Sequence, residues 1–78
     1  MKIILAGFTS DVSEDELQEM LAHYTEVDAL ELVPGDLSEQ TVAVLTIEGT
    51  NAEAHWVTRR LNGLYWHGHS LRAFVSLF

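Results

Sequence analysis

Lys2-Ile3-Ile4-Leu5-Ala6-Gly7-Phe8, followed after three intervening residues by Val12-Ser13-Glu14-Asp15-Glu16-Leu17, decides the fold. The first segment is a short apolar run ended by Gly7 and polar residues, which predicts a strand buried on at least one face. The second is a complete helix start. Ser13 caps, Glu16 stands three residues later to close a capping box, and Val12 staples onto Leu17. Glu14, Asp15 and Glu16 also suit the positive end of the helix dipole. Leu17, Leu21 and Tyr24, with Met20 beside them, form one apolar stripe, so the helix is expected from about Glu14 to His23.

Working outward, Val27 to Val33 is β-prone and partly alternating, and Pro34-Gly35 marks a turn. A further strand is expected from about Gln40 to Glu48, and the short connection predicts an antiparallel hairpin. Thr50-Asn51-Ala52-Glu53 opens a second helix whose inner stripe is Ala54, Val57 and Leu61. Asn62-Gly63 ends it with a residue suited to the left-handed conformation. The last strand is expected over Leu71 to Leu77, after a loop or short extra strand containing Tyr65-Trp66. The order strand–helix–strand–strand–helix–strand predicts an α+β, ferredoxin-like sandwich in one domain, residues 1–78. In it, two helices cover one face of a four-stranded antiparallel sheet. Function is expected on the other face.

The chain has 78 residues, no cysteine and a formal charge of −8. No disulfide framework or thiolate metal site is available to so small a core. Residues 1–50 hold eleven acids and one base, giving −10, whereas residues 51–78 hold one acid and three arginines, giving +2. Such a chain repels nucleic acid at long range, although acidic surfaces also simply keep small proteins in solution. The apolar run in MKIILAGFTSDV is too short for a signal-peptide core or a membrane span. The mature protein is therefore expected to be the whole chain, soluble and cytoplasmic, with no membrane contact.

In this order the segments resemble the RNA recognition motif (RRM) family along nearly the whole chain. KIILAGFTSDVSEDELQEMLAHY is similar to the family's apolar strand, Asp-turn, acidic cap and Leu-rich helix. Leu61-Asn62-Gly63, Gly68 and Leu71-Arg72-Ala73 are similar to its closing pattern. An unrelated ferredoxin-like domain would show the same element order. The resemblance implies single-stranded RNA stacked on aromatic rings of the two central strands. It places the ring position of the first strand on Ile4, two outward positions of the longer motif on Val42 and Val44, and an inward one on Ile47. The basic residue that opens that motif is Gln40 here. None of these residues offers a flat π-face. Each base stacked contributes roughly 1–3 kcal/mol, so the loss removes much of the affinity for a short RNA. What remains for RNA is Phe74 as one stacking ring, Lys2 and Arg72 as phosphate contacts, and Arg59 and Arg60 as helpers.

Period-two alternation gives the same residues a second meaning. With Ile3, Leu5, Ala43, Leu45 and Ala73 toward the helices, Ile4, Val42, Val44 and Phe74 point away from them, and Val33 is a candidate to join that outer set. Contiguous apolar side chains on an uncovered sheet mark a contact surface, although β-branched residues favour strands whatever they face. A secondary interaction surface is expected at Trp56, Tyr65 and Trp66, since aromatics often anchor interfaces. Some RRM relatives capture tryptophan-bearing peptides with this loop and an acidic first helix, which Glu14, Asp15, Glu16 and Glu19 would supply. Leu64-Tyr65-Trp66 stands where those relatives have Arg-x-Phe. Bracing of the loop against the core explains these rings equally.

His67-Gly68-His69, with His55 or His23, lacks the spacing of a structural metal site and reads as surface histidines. No nucleophile with its base, phosphate loop or carboxylate pair is visible, so neither catalysis nor a cofactor is expected. The sequence predicts a divergent RRM-type binding module. Its aliphatic face takes a protein partner or forms a homodimer; the alternative is weak binding of single-stranded RNA.

Overall fold

In the computed structural model, which describes residues 1–9, 11–34 and 40–76, eight elements follow one another. They are β1 (Lys2–Thr9), α1 (Glu14–Leu21), β2 (Ala29–Pro34), β3 (Gln40–Thr46), α2 (Asn51–Leu61), β4 (Tyr65–Trp66), β5 (His69–Ser70) and β6 (Arg72–Ser76). Four strands form an antiparallel sheet in the order β2-β3-β1-β6. The extra strand foreseen at Tyr65-Trp66 is half of a small β4–β5 hairpin. His67 (φ +51°) and Gly68 (φ +79°) occupy its turn, the double positive φ that suits the twist of a two-residue hairpin.

Both helices start where their caps require. The Ser13 hydroxyl accepts the Glu16 backbone N–H at 3.1 Å and donates to Glu16 Oε1 at 3.1 Å. Thr50 Oγ1 accepts the Glu53 N–H at 3.2 Å. Replacing Thr50 by alanine leaves that N–H to water alone and is expected to cost about 1 kcal/mol, read as a lower urea midpoint with an unchanged slope. At the other end of α2, Gly63 takes φ +87°. Asn62 does more than end the helix, because its Oδ1 accepts the Ala73 N–H at 3.3 Å and ties the helix end to β6.

The core lies between the sheet and the helices. Ile3, Leu5, Ala43, Leu45 and Ala73 are all buried, and they join Leu17, Met20 and Leu21 of α1 and Ala54, Val57 and Leu61 of α2 in one cluster. Tyr24 packs at its margin.

Several element ends differ from the sequence expectation. The first helix stops at Leu21 with Ala22 as its C-cap, so His23 lies in the following turn. β2 begins at Ala29, although the Asp28 N–H already bonds Thr46 O at 2.9 Å and Val27 packs on the core. β3 ends at Thr46, and beyond it Ile47 stays buried with its N–H on Met1 O at 2.9 Å. The last strand begins one residue later than expected, after a buried Leu71, while Gly35 and Leu77 lie outside the described residues.

The larger correction concerns β1, which does not end at Gly7. It continues to Thr9 through a bulge. Leu5 faces Ala43 and Phe8 faces Thr41, so β1 uses one residue more than β3 over this step. Gly7 adopts φ +103° there, and the alternation flips. Phe8, which strict period-two counting would turn outward, is 2% exposed in the core. Among the described residues no helix is long and apolar enough to cross a membrane.

Candidate functional site

The uncovered face is built from the residues between the inward ones. In β1 these are Lys2, Ile4 and Ala6; in β3, Val42, Val44 and Thr46; in β2, Ala29, Glu31 and Val33; in β6, Arg72, Phe74 and Ser76. Registry arranges them in rows across the strands. The middle row is Glu31–Val44–Ile4–Phe74. One side of it carries Ala29–Thr46–Lys2–Ser76. On the other side Val33 pairs with Val42, and Ala6 pairs with Arg72. Directly opposed side chains on one face stand about 5 Å apart, so each row is a continuous strip.

Phe74 is 54% exposed and Val33 39%. Ile4, Val42 and Val44 are half-buried, shielded partly by their neighbours. The structure therefore gathers Lys2, Ile4, Val42, Val44, Arg72 and Phe74 on one surface. Sequence reasoning passed over Glu31 in this set. Its signal was available: Leu30 and Leu32 both pack on the core, which turns the residue between them outward. Glu31, Lys2 and Arg72 are the charges on this face, and among the described residues none of the three has an ion-pair partner within the chain. The face is thus +1 on a chain of −8.

At the bulge end, Arg72 and His69 share a shallow concavity with Ala6, Thr41 and Val42. Beside it, the Asp11 carboxyl accepts a hydrogen bond from the Thr9 hydroxyl. That bond, helped by its own backbone N–H and by nearby His69 and His67, holds the carboxyl below its usual range.

The three remaining aromatic candidates do not gather. Trp56 is 51% exposed on α2, with the Arg60 guanidinium 5.2 Å from its ring centre, and lies in a concavity with Arg59 and Arg60. Trp66 is half-buried against the core margin and meets His67 edge-on at 4.3 Å. It lines a separate hollow with Glu16, Glu19 and His23. Tyr65 is 74% exposed. His67 Nε2 stands 3.3 Å from Glu16 Oε2 and links the β4–β5 turn to α1. Among the described residues no three metal-ligating side chains converge.

This architecture has many counterparts among solved structures. The RRM of Rna15 with bound RNA (GU) superposes with a TM-score of 0.80 at 15% identity, covering 99% of this chain and 83% of that one. The third RRM of Pes4 gives 0.82 at 13%, covering 99% and 92%. The chain has the RNA recognition motif fold. Part of the chain of the C. elegans NONO-1 homodimer superposes as well, with a TM-score of 0.70 at 20% identity over 97% of this chain and 28% of that one. No family model matches the sequence, and no curated protein matches it. Within the RRM fold, the positions that the sequence resemblance assigned to stacking rings hold Ile4, Val42 and Val44 on the open face, while Ile47 lies inside the core.

Proposed function

We propose that this chain is a divergent RRM-family binding module whose open sheet face takes a protein surface, from another protein or a second copy. It has no catalytic role and acts in the cytoplasm. The observation that carries the reading is the middle row Glu31–Val44–Ile4–Phe74. Two aliphatic side chains, a single ring at the edge and a carboxylate occupy the strip where an RNA-binding sheet needs several rings and positive charge. Aliphatic groups bury well against another apolar surface and give a base nothing to stack on. The carboxylate repels phosphate.

A second reading rests on a different observation. Phe74 is more than half exposed and Arg72 lies two residues from it on the same face, with Lys2 on the adjacent strand. One ring and two cations support weak binding of single-stranded RNA.

The two readings separate in one titration. Mixed short single-stranded RNAs added at low salt are expected to leave the amide signals of Ile4, Val44 and Phe74 in place. Shifts on these residues that shrink as salt rises would replace the protein-contact reading with the RNA one. In the same samples, sedimentation over a concentration series tests for association through this face.

A further inference from the structure

We infer that the occupant of the open face is a second copy of this chain, packed face to face about a twofold axis parallel to the strands between β3 and β1. This inference rests on the protein-contact reading above and names its partner. An axis in that position exchanges β2 with β6 and β3 with β1, because the sheet order β2-β3-β1-β6 has two strands on each side. It also keeps the two sheets near the aligned packing that twisted sheets favour. The exchange then acts on the rows.

Val44 of each copy meets Ile4 of the other at the centre, apolar on apolar. Val42 falls opposite the small Ala6. Glu31 falls on the β6 side of the second copy, over Phe74 and one same-face position from Arg72. By symmetry the contact forms twice. The row order across the strands is therefore self-complementary: the acid sits at one edge of the face and a base at the other, with aliphatic groups between. A different placement of the axis, across the strands, would stack Glu31 on itself.

Charge is consistent with this pairing. The face has a net charge of +1, so the rest of the chain carries −9, largely on α1 and the segments before β2 and after β3. None of the three charges on the face has an ion-pair partner among the described residues, which leaves Glu31 and Arg72 available for the second copy. Pairing of such charges across an interface fixes its orientation and register.

The test is a charge exchange in the intact chain, read by sedimentation equilibrium. The unmodified protein is expected to show a monomer–dimer equilibrium. Glu31→Arg and Arg72→Glu are each expected to weaken it roughly tenfold, the scale of a close interfacial charge pair. The double variant E31R/R72E restores both symmetric pairs with reversed sign and is expected to return to within a few-fold of the original. Both side chains are exposed, so folding is preserved, and circular dichroism verifies it. A protein that stays monomeric at the highest concentration reached overturns the inference. So does a double variant no tighter than either single one. If association then still responds to changes at Val44, the protein-contact reading stands and only the twofold arrangement falls.

Discussion

Gly7→Val is expected to destabilise the protein by about 2–4 kcal/mol, through backbone strain and overlap together. Gly7 sits in the β1 bulge at φ +103°, a region that a β-branched residue enters only under strain. Space is also lacking. A Cβ placed there would lie 2.6 Å from the Ser70 carbonyl oxygen and 3.2 Å from Leu71 Cα, and both are backbone atoms. Relief requires moving β5 away from β1 or removing the bulge. Removing the bulge would turn Phe8 out of the core, and that ring is 98% shielded now. Domains of this size hold only about 4–12 kcal/mol in total, so the loss is a large fraction. The measurement is the urea midpoint, with Gly63→Ala as comparison. Gly63 also has positive φ, +87°, but a Cβ there meets nothing within 4 Å, so only the strain of about 1–2 kcal/mol applies. Equal losses for the two variants would mean that close approach of β5 to β1 contributes nothing.

Val44→Glu is expected to abolish association through the sheet face, with at least a hundredfold loss, as for a central interface residue. Val44 lies in the middle row directly between Glu31 and Ile4. A carboxylate there puts a like charge about 5 Å from Glu31 and forces desolvation of an unpaired anion on contact. The fold should tolerate it, because Val44 is not part of the buried core. A near-native melting curve alongside an unchanged dimerisation constant would remove this face from self-association and leave only a different protein as its partner. The change adds negative charge, so it would also lower any residual RNA affinity; the uncharged Val44→Ser, which should weaken association by a smaller factor, separates the two effects.

Much of this was legible in one dimension. Capping residues announced both helix starts within a residue, since Ser13 and Thr50 act on N–H groups only three positions away. Inward and outward sets of β3, of β6 and of β1 as far as Ala6 followed from period-two counting, because the pleat enforces it; beyond the bulge Phe8 breaks it. Helix and strand ends were less legible. The first helix ends at Leu21 although apolar spacing continues to Tyr24, since Tyr24 reaches the core margin from the turn. Seven residues of the face, Val33 among them, could be named in advance, and Glu31 needed only the same counting applied to β2.

What the sequence by itself determined is the βαββαβ order, the side of the sheet on which most side chains fall, and an outward set that is aliphatic at Ile4, Val42 and Val44 and has Phe74 as its one ring. Those are local properties, set by propensity, caps and the pleat. Only tertiary structure showed the bulge at Gly7, where β5 runs so close to β1 that a Cβ has no room. It also decided which residues stand side by side. Glu31, Val44, Ile4 and Phe74 come from four strands spread over most of the chain, and they form one row because antiparallel pairing fixes registry across strands that are not neighbours in sequence. Alternation tells which face a residue takes; only the hydrogen-bonded ladder tells what it faces there.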